Sequence, residues 1–287
     1  LTELVSQYLR RQLPEAGAHI EAALAEFAAH PERAAFFRLF ALAPRWTGRQ
    51  AATPEPAECA ALSALHPNLG LGSWDDDQLA RLWILVVAQQ HWPAQRFAVE
   101  LDTLFNTADT AELVALYRSL AILENPQQFH ARAREGARSN MVPVFLAVAH
   151  YNNYPTEYFD EDGWNQLVLK AIFNACPLDP ITGLEQRNNP ALAHMLCDYV
   201  RERWAASRSV PWDIWRCIGP HADTGEDLAL LPRALVSQER LTRFAAALAL
   251  RDCGTPAALE ILRGEQATIK ATEEMNWQDL AVLDQGG

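Results

Sequence analysis

Tyr154, Tyr158, Lys170 and Arg187 are the side chains of this sequence whose chemistry and clustering point most directly to a ligand. They fall in one span, NNYPTEYFDEDGWNQLVLKAIF, then LDPITGLEQRNNP, then ALAHMLCDYVRERW. Two phenols with Asn152 and Asn153 offer flat apolar area and directional hydrogen bonds, as small-molecule sites do. The same asparagines could instead satisfy the backbone of a structural loop. Trp164, Leu167, Val168, Ala171 and Ile172 fall at helical spacing on one face, which leaves Gln166, Lys170 and Asn174 as a polar stripe with Asn165 beside it. That stripe is either the solvent edge of a buried helix or the lining of a polar cavity with Lys170 as its charge. A desolvated lysine could serve Schiff-base chemistry, but no carbonyl-binding motif accompanies it. Arg187 precedes the Asn189 cap, where it could help helix amides hold an anion or pair with Glu185. Arg132, Arg134, Arg138 and Asn140 form a local basic cluster, read as a solvated helix face or as an anion site.

The motifs of known chemistries are absent or incomplete. Asp75, Asp76 and Asp77 suggest a DDxxD magnesium–diphosphate motif, but Gln78, Leu79 and Ala80 follow, so helix capping suffices to explain them. His194 with Cys197 and Cys217 with His221 have the spacing of zinc-ligand pairs, yet they lie in different segments. There is no GxSxG, Walker loop, GxGxxG after a strand or HExxH. Catalytic residues are therefore unassigned, and no metal or cofactor is expected. Trp212 and Trp215 look like packing anchors.

The elements that must position these groups all read as helices. His30–Pro31 separates two of them, and Pro44, Pro54, Pro56, Pro67, Gly70 and Gly72 make 44–73 a long Pro-rich loop. Ser73 is expected to cap WDDDQLARLWILVVAQQ, a largely apolar central helix. Pro93, Asp109, Asn125–Pro126, Asn140, Asn189 and Ser237 mark further starts. Gly254 followed by Thr255–Pro256 predicts a tight helical hairpin over 234–264, and from Glu265 on the chain reads as a weak helix or tail. Paired helices with short connections predict an all-α fold over 1–287 as one domain. Its expected form is an irregular α-solenoid of stacked hairpins, HEAT-like towards the C-terminus. A compact bundle is the competing arrangement.

Composition limits the partners. The chain has 287 residues, 49% of them hydrophobic, enough to bury a sizeable core. A formal net charge of −12 disfavours nucleic acid and anionic membranes. The longest apolar run, 82–88, is far short of the roughly 20 residues a span needs. Five scattered cysteines without a CxxC suggest reduced thiols in the cytoplasm.

Together, NNYPTEYFDEDGWNQLVLKAIF, GLEQRNNPALAHMLCDYVRERWAASRSVPWDIWRCIGP and EGARSNMVPVFLAVAHYNNYP resemble the EboA family over residues 134–220, with weaker likeness through about 262. The pattern departs from the family at GLEQR, where Glu185 and Arg187 stand in place of an Asp-x-Arg. EboA proteins are encoded in metabolite traffic clusters beside a prenyltransferase-like membrane protein and enzyme-like partners. The resemblance implies a non-catalytic helical protein that binds a small metabolite or other proteins of its cluster, acting in processing or export of a secondary metabolite. Contact with a membrane protein would be at most peripheral. An enzyme with an unfamiliar helical site and a pure protein–protein scaffold are the alternatives. The expected ligand-binding set is Arg138, Asn140, Tyr154, Tyr158, Asn165, Lys170 and Arg187.

Overall fold

A computed structural model describes residues 1–65, 71–222 and 225–285. The protein is all-α, about three-quarters helical. Among the described residues there is no strand, although Ala51 and Asp75 form an isolated antiparallel bridge. The chain divides into two compact units, Leu1–Phe159 and Asp160–Gly287.

The first unit contains α1 (Thr2–Gln12), α2 (Pro14–Ala29), α3 (Arg33–Thr47), α4 (Pro56–Leu65), α5 (Asp76–His91), α6 (Ala94–Thr107), α7 (Thr110–Ser119), α8 (His130–Arg138), α9 (Val142–Ala149) and α10 (Tyr154–Tyr158). Helix α5 is its axis and packs against α1, α2, α3 and α7. Leu79, Leu82, Ile84 and Leu85 are buried on several sides of it, as the all-round apolar pattern of the sequence requires.

Burial extends to charged groups at the start of α5. Asp75, not Ser73, is the cap, and it forms a capping box with Gln78. Asp76 and Asp77 do more than complement the helix dipole, because both are buried. The Tyr8 hydroxyl donates to Asp76 Oδ1 at 2.7 Å, tying α1 to α5. Arg81, 1% exposed, donates to Asp77 one turn away and has Glu112 of α7 at 3.9 Å. Its Nε donates to the Phe40 carbonyl at 3.2 Å. That carbonyl is available because Pro44, inside α3, has no N–H to offer the residue four before it.

The expected 44–73 loop is thus shorter than its prolines suggest. Helix α3 continues through Pro44 to Thr47, α4 starts with Pro56 in its first turn, and Leu71–Ser73 is a 3-10 turn. Positions 66–70 lie outside the described residues. Asn140 also fails to open its helix. Helix α9 begins at Val142, and the Ser139 hydroxyl accepts the Met141 N–H instead.

The second unit contains α11 (Glu161–Phe173), α12 (Leu184–Arg187), α13 (Pro190–Ala205), α14 (Ile214–Ile218), α15 (Gly225–Leu228), α16 (Leu231–Leu235), α17 (Arg240–Cys253), α18 (Pro256–Arg263), α19 (Gln266–Thr272) and α20 (Trp277–Gln285). The hairpin of α17 and α18 forms as its punctuation predicts. Gly254 is left-handed at φ 63°, and the Thr255 hydroxyl accepts the Ala258 N–H. Ser237 is not its cap, because α17 begins only at Arg240. Beyond Glu265, of the two alternatives of weak helix or tail, the chain takes the helical one as α19 and α20, and both pack on α17. Trp215 is buried as an anchor, 5.9 Å from Trp204 between ring centroids. Gly219 lies where an added Cβ would be 2.6 Å from Ala249 Cα of α17. Asp213 is buried, and its Oδ2 accepts the Leu178 N–H at 3.0 Å. Desolvation pushes its carboxyl up to about 6.

These buried charges lead to two expected outcomes. Arg81→Met leaves Asp77 without its partner and should cost about 3–5 kcal/mol in urea unfolding, less whatever Asp77 recovers by taking up a proton. Asp77→Leu combined with Arg81→Met should restore most of that loss. Asp213 holds a proton more firmly when folded, so its contribution is fully present below about pH 4 and is lost as pH rises through about 6. Asp213→Asn keeps the acceptor for Leu178 and removes the charge. It should be at least as stable as the parent at pH 7, with the difference closing by pH 4 in thermal melts.

Candidate functional site

The expected site residues divide between the two units. In the second unit, Asn165 is buried and forms a reciprocal amide pair with Asn189, whose Nδ2 donates to Asn165 Oδ1 at 2.8 Å. The Asn189 Oδ1 also accepts the Leu192 N–H, so this pair fastens α11 to the start of α13. The Arg187 guanidinium lies over the Trp164 ring, 5.2 Å from its centroid, and Glu185 pairs with Arg216. Lys170 is half-buried, and desolvation lowers the pKa of its amine.

In the first unit, Tyr154 is buried, and its hydroxyl donates to the Pro126 carbonyl at 2.7 Å. Burial raises its pKa, so this phenol is a neutral pin between α10 and the 3-10 turn Pro126–Phe129. Its ring packs 4.8 Å from the half-buried Tyr158. Asn140 is exposed in the turn before α9. Arg138 is exposed at the end of α8 and lines a cavity of about 490 Å³. None of the other six expected residues lines it.

The cavity is built from α6, α7, α8 and α9. Phe105, Leu113, Ala131 and Val144 give it apolar walls, and Tyr117, Arg132, Glu135, Arg138 and Ser139 give it polar groups. Its volume falls in the usual range for small-molecule sites, roughly 300–1,000 Å³. Helical geometry explains the set: Leu113 and Tyr117 are one turn apart on α7, as are Arg132 and Glu135 on α8. The Asp109 capping box fixes the start of α7.

Two close contacts shape the wall. An added Cβ at Gly136 would fall 2.5 Å from the Tyr117 ring, so only glycine lets α8 approach α7 this closely. Arg132 lies over Phe105, 5.3 Å from the ring centroid. It also donates to Asp102, to Asn106 Oδ1 at 2.7 Å and to Glu135 Oε2 at 2.8 Å. Arg132 therefore spans α6 and α8 as a fixed strut.

Tyr117 differs from the other buried tyrosines of the first unit. Tyr8 and Tyr154 each donate to a protein oxygen. The Tyr117 side chain is 4% exposed, yet among the described residues its hydroxyl bonds to none. Desolvation, with Glu135 nearby, pushes its pKa up to about 12, so at neutral pH it is an O–H donor. Arg138 likewise has no ionic or hydrogen-bond partner among the described residues. The arrangement can hold an apolar ring and meet two acceptor groups.

A second hollow of about 500 Å³ is lined by Arg49, Asp75, Gln78, Asp109 and neighbours. Both of its carboxylates are engaged in capping boxes, so it offers fewer uncommitted groups.

A model of the family described as metabolite traffic protein EboA matches residues 1–219. The chain belongs to the EboA family. The match takes in the N-terminal third, which lies outside the resemblance read over 134–220, and contains the whole cavity. It ends at 219, so the α17–α18 hairpin lies outside it. No curated protein and no solved structure matches this EboA-family chain.

Sequence reasoning marked Arg132 and Arg138 as a basic cluster and missed Tyr117. The available signal was Gly136 in the middle of HARAREGAR, since a glycine inside a helix marks a close approach. Tyr117→Phe should change stability by no more than about 0.5 kcal/mol, because no protein bond is lost. Gly136→Ala should cost about 1–3 kcal/mol through overpacking against the ring. Chemical denaturation of both variants checks this contrast.

Proposed function

We propose that this protein is a helical binding protein of metabolite traffic, holding a small molecule in the α6–α9 cavity during processing or export of a secondary metabolite. The observation that carries this reading is Tyr117, a largely buried side chain on the cavity lining whose hydroxyl bonds to no protein group among the described residues. A bound acceptor would give this hydroxyl a hydrogen bond in a largely desolvated setting. The family description, metabolite traffic, agrees with a role in binding. No helix among the described residues is long and apolar enough to cross a membrane.

The polar lining consists of hydrogen-bonding and charged groups of the kind that orient a ligand. Its most basic side chain, Arg132, is tied down by Asp102, Asn106 and Glu135. Recognition, with the ligand released unchanged, is the activity this set supports.

Ala131 is exposed and lines the cavity, so Ala131→Trp can fill the space without disturbing the core. Native mass spectrometry of the protein purified from its own host should show a co-purifying small molecule, at up to one per chain. Ala131→Trp should lose it while its Tm stays within about 2 °C of the parent. A parent that carries nothing, or a variant that retains the molecule, would overturn the proposal.

A further inference from the structure

We infer that the molecule held in this cavity is a small ring-bearing carboxylic acid, with its carboxylate at Arg138 and a neutral oxygen at Tyr117. This rests on the binding role proposed above and specifies its ligand. The groups that the lining leaves unused define what would complete it.

The apolar walls come from Phe105, Leu113, Ala131 and Val144, with the exposed thioether of Met141 beside them. A flat ring suits such walls, since aromatic and thioether groups pack well against it. Of the two cations, Arg132 is committed to Asp102, Asn106 and Glu135. Arg138 is uncommitted among the described residues. A guanidinium without a partner among the described residues, on the lining of a cavity with apolar walls in a chain of net charge −12, is a specific feature and not part of a general basic surface. Guanidinium binds carboxylate through two parallel N–H···O bonds.

The second unused group is a donor too. The Tyr117 O–H lines the cavity and stays protonated at neutral pH, so it offers a donor to a hydroxyl, carbonyl or ether oxygen. The charge balance argues for a single negative charge. Only Arg138 is free to neutralise a ligand, and the Glu135 carboxylate on the same helix would repel a dianion. An amine would face Arg138 with no uncommitted carboxylate to pair with, since Glu135 already accepts from Arg132. A phosphate monoester, the other anion a guanidinium takes, is therefore the disfavoured source of the same contact.

The full chain is titrated by calorimetry with 2-naphthoate, 2-naphthamide, 2-naphthyl phosphate and 2-naphthylmethylamine, and with 6-hydroxy-2-naphthoate. The naphthoate should bind at least tenfold more tightly than the amide, the phosphate or the amine. In Arg138→Gln, an exposed substitution, naphthoate and amide should fall within twofold of each other. The 6-hydroxy group should tighten binding several-fold in the parent and not in Tyr117→Phe. Circular dichroism melts confirm that both variants are folded. Equal or tighter binding of amide, phosphate or amine, or an unchanged preference in Arg138→Gln, would overturn the acid. So would silence from all five probes. None of these results touches the binding role itself, which fails if no small molecule accompanies the natively purified protein or if Ala131→Trp retains it.

Discussion

The first unit depends on a carbonyl that a proline leaves free. Pro44 withholds a hydrogen bond from Phe40 inside α3, and Arg81 of α5 supplies it from its Nε. A guanidinium buried this completely is tolerable only when its donors are satisfied. The carbonyl answers one of them, Asp77 another, and Glu112 adds a carboxylate from α7. Three helices are thereby fixed around one charge. Glu112 also completes the capping box of α7, so the same residue sets where that helix starts and how it faces α5. Five residues later the helix presents Tyr117. The helix that carries Tyr117 to the cavity lining is thus anchored beside an ion pair in the core.

Rigid placement matters because the cavity itself contributes little stability. Its polar lining is partly unpaired, its strut Arg132 is held from outside by Asp102, and its back wall requires a residue without a side chain at 136. Such a site would collapse or fill if the helices around it could shift. The dense packing of α5 against α1, α2, α3 and α7 makes that shift costly.

Features that were legible in the sequence are local ones. Asp109, Asn189, Gly254 and Thr255 act through atoms within three or four residues, and the structure uses them as their types dictate. Ser73, Asn140 and Ser237 have equally suitable side chains, but the helices start later, where neighbouring elements settle the first turn. The WDDD run shows the limit most plainly. Capping accounts for Asp75, whereas Asp76 and Asp77 are explained only by Tyr8 and Arg81, of which Tyr8 lies 68 residues away. At the candidate site, a run of arginines was visible because charge is conspicuous in an acidic chain. A largely buried tyrosine on a cavity lining looks like any core tyrosine until its surroundings are known. The reverse happened to Tyr154 and Asn165, whose polar groups are spent on the Pro126 carbonyl and on Asn189.

Gly219 bears on how the EboA-family region relates to the C-terminal helices. This residue, the last of the matched stretch, lies against the backbone of Ala249, with no room for even a methyl group between them. Helix α14 and the turn at Gly219 share their buried surface with α17, where Ala245, Ala246 and Ala249 are sealed from solvent. The family boundary in sequence is therefore not a seam in the fold. A chain cut after 219 would leave an apolar flat on α14 facing water, and the hairpin removed would lose the surface on which its own small residues are spent. Any exchange of this C-terminal region between relatives would have to carry its alanine face along with it.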